Sequence, residues 1–117
     1  MTVLIDLSVL GQYRDVMGAD GDAFIKDLVQ TFLEDAERLT ETMTQTLADG
    51  DRETFQRAAH TLKTSVATMG AQALSERFKA MELNTRSLSL ADLEAELDVA
   101  SQELRSVSAE LQELFLE

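Results

Sequence analysis

The sequence predicts an all-α protein: an antiparallel four-helix bundle with a short additional helix at its N-terminus. Three observations lead there. Proline is absent and glycine occurs only five times, so little interrupts helical stretches. Apolar residues make up 44% of the 117 and recur at steps of three and four rather than two. Aromatics reach only 5%, and the β-branched residues do not gather into alternating strands. A chain of this length can bury a core without disulfides or metal. No linker, low-complexity segment or internal repeat divides it, so residues 1–117 read as one domain.

Five helices follow in order. The first runs from about Leu7 to Met17, with Asp6 as N-cap and Gly18 after its end. Leu7, Leu10, Tyr13 and Met17 form its apolar side. The second runs from about Ala23 to Asp49, capped by Asp22 and stopped by Gly50. Its stripe is Ile25, Leu28, Phe32, Leu39, Met43 and Leu47, widened in the first half by Phe24, Val29 and Leu33. The third starts after Asp51 and ends at Gly70, with Phe55, Ala58, Ala59, Leu62, Val66 and Met69 on one face. The fourth covers about Ala71 to Thr85, turning Leu74, Phe78 and Met81 inward. The fifth begins after Ser89, where Ser89 and Asp92 resemble a capping box. Its stripe runs Leu90, Leu93, Leu97, Ala100, Leu104, Val107, Leu111, Leu114. That alternation is the seam of a left-handed bundle, whose helices cross at about 20°. The short first helix is expected to cover one end.

Composition excludes several function classes. With no cysteine there are no disulfides, no thiolate catalysis and no cysteine-ligated metal, and a reducing cytoplasm suits the chain. No run approaches the roughly 18 apolar residues of a spanning helix. The N-terminal MTVLIDLSVLG is apolar but lacks a basic n-region and a small-residue cleavage site, so it is not read as a signal peptide. A net charge of −12 argues against nucleic acid and anionic membrane as partners. The charge is uneven, however. Arg52 to Arg86 holds six basic and three acidic residues, leaving four basic and 19 acidic elsewhere. That positive segment suits an anionic ligand or an acidic partner face.

The positive segment also contains the only histidine, His60. A metal site would need several ligands on facing inward positions, but there is one His, no Glu-x-x-His motif, and the acidic residues fall on outward positions. No metal is expected. A nucleotide site would need a glycine-rich loop after a strand, and a Ser-His-Asp hydrolase a nucleophile elbow; neither is present. His60 lies opposite the apolar stripe of its helix, facing solvent with Gln56 one turn behind and Lys63 and Thr64 one turn ahead. A lone exposed histidine is usually inert. Here an imidazole, a good neutral nucleophile near pH 7, stands beside an ammonium that can neutralise a transferred phosphoryl group. Small and medium residues ahead of it, including Thr64 and Ala67, leave a shallow surface for a partner. Phe24 and Val29 are expected to border that surface, although core packing against the first helix accounts for them equally well.

The run AHTLKTSVATMGA, with Gly70 ten residues after His60, resembles the signature of histidine-containing phosphotransfer (HPt) domains. His60, Leu62, Lys63, Ser65, Met69 and Gly70 match it. Thr64 departs from the Gly or Ser common there, and Val66 from a smaller residue. FIKDLVQTFLEDA, LADGDRETFQRAAH and GAQALSERFKAMEL resemble the family's segments around the histidine helix, so most of the chain is covered.

The resemblance implies a phosphorelay intermediate. His60 would take a phosphoryl group from a receiver-domain aspartate onto its outer ring nitrogen and pass it to a second receiver. Lys63 would assist, with Gln56 hydrogen-bonding near the site. The implied partners are receiver domains of a hybrid histidine kinase and of a downstream regulator. Mg²⁺ is expected on the receiver, with no cofactor on this chain. The chain is expected to be a monomeric phosphocarrier without an ATP site, unable to phosphorylate itself. The competing reading is a helical adaptor that binds its partner without phosphate.

Overall fold

The computed structural model describes residues 4–117. The first three residues, where the apolar N-terminal stretch begins, lie outside the described residues. Five α-helices appear: α1 (Leu7–Met17), α2 (Gly21–Asp49), α3 (Arg52–Thr68), α4 (Gln72–Asn84) and α5 (Leu90–Phe115). A 3-10 turn, Gly18–Asp20, joins α1 to α2. The helices α2 to α5 form a closed ring in which each packs on the next and α5 returns to α2. The architecture is the expected helical bundle.

Side-chain caps set three of the starts. The Asp6 carboxylate accepts from the Ser8 amide at 3.0 Å, Asp51 from the Thr54 amide at 3.1 Å, and the Ser89 hydroxyl from the Asp92 amide at 3.0 Å. The second helix departs from expectation. It begins at Gly21, and Asp22 forms an ion pair with Arg14 at 2.5 Å instead of capping. The reason is close approach: a Cβ on Gly21 would stand 2.6 Å from the Arg14 Cα, so only glycine lets α2 start against α1.

Unequal helix lengths shape the molecule. At about 1.5 Å per residue, the 29 residues of α2 and 26 of α5 overrun the 17 of α3 and 13 of α4. The short α1 packs on α2. The chain entering α1 is fastened to the end of α3, where the Asp6 amide donates to the Gly70 carbonyl at 2.8 Å. Gly70 itself has φ +86°, and any Cβ there would collide with the Asp6 carbonyl. This signature glycine therefore serves the crossing of two chain segments.

One apolar core draws on every helix, with Leu10, Ile25, Met43, Phe55, Leu62, Phe78, Leu93 and Leu111 among its fully buried side chains. Four stripe residues escape it. Leu7, Met17, Leu90 and Leu114 are exposed. Leu7 and Met17 belong to a short helix with few neighbours to cover its apolar arc. Leu90 and Leu114 lie in the terminal turns of α5. No helix among the described residues is long and apolar enough to cross a membrane.

Candidate functional site

The site grows from the register between α3 and α4. Three side chains tie the two helices together through main-chain carbonyls. Ser75 Oγ donates to the Lys63 carbonyl at 2.9 Å, and Gln56 Nε2 to the Glu82 carbonyl at 3.1 Å. Arg52 Nη1 donates to the carbonyls of Thr85 and Leu88 at 2.5 and 2.7 Å. Residue numbers fall along α3 as they rise along α4, so the pair is antiparallel. Satisfied, partly buried carbonyls of this kind resist sliding, because a slip leaves donors and acceptors unpaired. The register brings Glu82 onto His60.

His60 keeps 63% of its side chain exposed, whereas Glu82 keeps 15%. Glu82 Oε2 lies 2.5 Å from His60 Nδ1, and Glu82 Oε1 accepts from Lys63 Nζ at 2.8 Å. A carboxylate can only accept, so Nδ1 carries the proton of this bond. In the neutral ring Nε2 is then left with its lone pair, the nucleophilic atom. Lys63 Nζ also lies 3.4 Å from Nδ1. With Nδ1 protonated, that contact is between two donors and acts through charge alone. Burial pushes the Glu82 carboxyl up, but the bonds from Lys63 and His60, with their charges, outweigh it and hold the group below its ordinary value.

Gln56 sits at the site, where its amide donates to the Glu82 carbonyl and so supports the main chain of the residue that meets His60. Thr64 is exposed and returns its hydroxyl to the His60 carbonyl at 3.4 Å. Ala67 is half-buried further along α3. Val29 is fully buried and can touch no partner, which corrects its expected place on a docking surface. Phe24 is 37% exposed, with its ring 5.1 Å from that of Tyr13 in α1. It lies in the first turn of α2, while α3 folds back along little more than half of that helix. Phe24 therefore belongs with α1, not beside His60. Val66, one of the two departures from the signature, is wholly in the core.

Sequence reasoning missed Glu82, having read the acidic residues as outward. A signal was present: Ser75, Phe78, Glu82 and Thr85 share a three-four spacing, and the other three are buried. A carboxylate on such a stripe requires a cationic or donor partner. Among the described residues no three His, Asp or Glu side chains gather to hold a metal ion.

A family model described as the Hpt domain matches residues 27–115. No curated protein matches the chain. Among solved structures, the crystal structure of histidine-containing phosphotransfer protein B (HptB) from Pseudomonas aeruginosa PAO1 has a TM-score of 0.84 and 23% sequence identity. The match covers 99% of this chain and 97% of that one, and at this identity it speaks for the fold. The family match takes in three quarters of the sequence, α3 and its histidine included: the chain belongs to the Hpt domain family, and its role is histidine phosphotransfer in a phosphorelay.

Proposed function

We propose that His60 carries the phosphoryl group and that Glu82 and Lys63 prepare it. The observation that carries this reading is an exposed imidazole whose Nδ1 is engaged by a carboxylate, which leaves Nε2 as the ring nitrogen with the lone pair. Nε2 attacks the phosphorus of a receiver's phosphoaspartate. The N–P bond forms as the P–O bond to the aspartate breaks, and the aspartate leaves as a carboxylate. No proton must be removed from Nε2. The ring gains positive charge as the bond forms, and Glu82, already accepting from Nδ1, stabilises that charge. Return of the group to a second receiver reverses these steps.

Lys63 is bonded to Glu82 in this state. Its ammonium is near enough to the ring to share itself with a phosphoryl group. Phosphoryl transfer depends on in-line placement and charge neutralisation more than on covalent activation. Mg²⁺ and the acidic pocket are supplied by the receiver in this scheme, and Thr64 and Ala67 lie on the face it meets. The reading takes the chain as one monomeric cytoplasmic domain that cannot phosphorylate itself. Incubation with a phosphorylated receiver domain tests it. An acid-labile, base-stable label on His60 is expected; a label elsewhere overturns the assignment of His60, and no label leaves the phosphate-independent adaptor.

A further inference from the structure

Beside His60 a shallow depression of about 480 Å³ is lined by Glu53, Gln56, Arg57, Glu82 and Arg86. Its charges are not equivalent. Glu82 is neutralised by Lys63 and His60. Arg57 lies one turn before His60 on α3, and Arg86 lies one turn past Glu82, just beyond the end of α4. Both are exposed, and among the described residues neither forms an ion pair. Arg14, Arg38 and Arg77 pair with carboxylates, and Arg52 is spent on carbonyls. Glu53 is the one acidic side chain at the depression without such a tie, and it is exposed. Two free guanidiniums therefore flank the candidate nucleophile from two helices, on a protein of net charge −12.

We infer that Arg57 and Arg86 are the specificity-determining pair of this site, seating carboxylates on the rim of the receiver's phosphoaspartate pocket. The inference rests on the reading of His60 as the carrier. A guanidinium presents donors in a fork that matches a carboxylate and is always charged. The strongly acidic remainder of the chain repels an acidic partner, so such a partner is steered to the one basic face and turned to meet His60. Receivers with an acidic rim are selected, and those with a basic rim are rejected by like charge.

The test uses one receiver domain with carboxylates around its phosphoaspartate and a variant of it with those carboxylates replaced by lysine. The full chain is compared with the Arg57→Glu, Arg86→Glu double variant and with the milder Arg57→Gln, Arg86→Gln pair, each checked for helicity by circular dichroism. Rim charges act mainly on association rate. Transfer from the acidic-rim receiver should slow about tenfold or more in the Glu pair and less in the Gln pair. The difference should shrink as salt is raised, because screening shortens the reach of the field. The lysine-rim receiver should reverse the order. Phosphoramidate, a small donor whose N–P bond breaks with loss of ammonia, should label His60 at similar rates in all three proteins at high salt, where the field of the pair is screened. Equal labelling together with equal receiver rates, or equal slowing with both receivers, overturns the assignment of the pair and leaves His60 as the carrier. Failure of both phosphorylated receivers to label His60 in the unaltered chain overturns the carrier reading and this inference with it.

Discussion

The α3–α4 face and the α2–α5 face use the same helical periodicity but are joined by different forces. Among the described residues, the side-chain-to-carbonyl bonds linking different helices lie between α3 and α4 or the turn after α4. The long helices α2 and α5 meet through stripe residues such as Leu39, Met43, Leu104 and Leu111. Between them runs a groove bordered by Glu37, Glu41 and Arg105 with no hydrogen bond across it among the described residues. Apolar packing is strong but tolerant of small shifts, whereas a hydrogen-bonded carbonyl fixes position to fractions of an ångström. Precision is concentrated where one carboxylate must meet one ring nitrogen. The other half supplies burial.

The sharpest way to break that division is His60→Gln. The side chain is exposed and Gln can still donate to Glu82, so stability should fall by no more than about 1 kcal/mol, the worth of one weakened hydrogen bond. Phosphoryl acceptance should vanish. Denaturant unfolding and transfer from a phosphorylated receiver, measured on the same preparation, check both halves of the statement. A variant that unfolds would mean that His60 is part of the scaffold after all.

The opposite pattern is expected of Leu104→Ala on α5. Leu104 is 5% exposed, and truncating a buried leucine costs about 2–5 kcal/mol. The midpoint of urea unfolding should fall accordingly. The transfer rate per folded molecule should hold, because no bond of the His60 network involves α5. A fall in that rate as large as the fall in stability would show that the two faces are one mechanical unit.

Lys63→Ala comes next in size. Hydrogen bonds to charged groups contribute roughly 1.5–3 kcal/mol, so transfer should slow about tenfold to a hundredfold. The helix should persist, since alanine is the best helix former. Stopped-flow transfer from a phosphorylated receiver reads the rate directly. An unchanged rate would reduce Lys63 to a counter-ion for Glu82.

The two faces also differ in how far the sequence discloses them. The helix starts at Leu7, Arg52 and Leu90 follow from Asp6, Asp51 and Ser89, because a cap is a local event readable within four residues. The α5 stripe from Leu93 to Leu111 is equally legible, since periodicity alone determines which side is buried. His60 and Lys63 are one turn apart on one helix, so they could be paired from spacing. Glu82 could not be. It lies 22 residues from His60, and its contact depends on the register between two helices, which no single-helix pattern contains. Val29 failed for a related reason: a broad apolar arc shows that burial is needed, but not which neighbour provides it.

The smallest effect concerns Glu82 and pH. Its carboxyl is held below its ordinary value of 4.5. A depressed folded-state value means that the unfolded chain binds the proton more tightly, so stability rises with pH through this window. The contribution is complete above 4.5 and is lost as the pH falls through the folded-state value. Glu82→Gln removes that titration while keeping a carbonyl oxygen able to accept from Nδ1. The stability gap between the unaltered chain and Glu82→Gln should thus be widest near neutral pH and should close on acidification. The acid dependence that remains belongs to other carboxyls, among them Asp6 and Asp51, which the Ser8 and Thr54 hydrogen bonds hold low. Transfer at neutral pH should fall only severalfold in Glu82→Gln, and further in Glu82→Leu, which offers no acceptor and leaves the ring free to carry its proton on Nε2. Urea titrations at several pH values and transfer rates for both variants measure this. Equal transfer by the unaltered chain and Glu82→Leu would mean that the carboxylate steadies Lys63 alone, and that the register of α3 on α4 contributes nothing to the nucleophile.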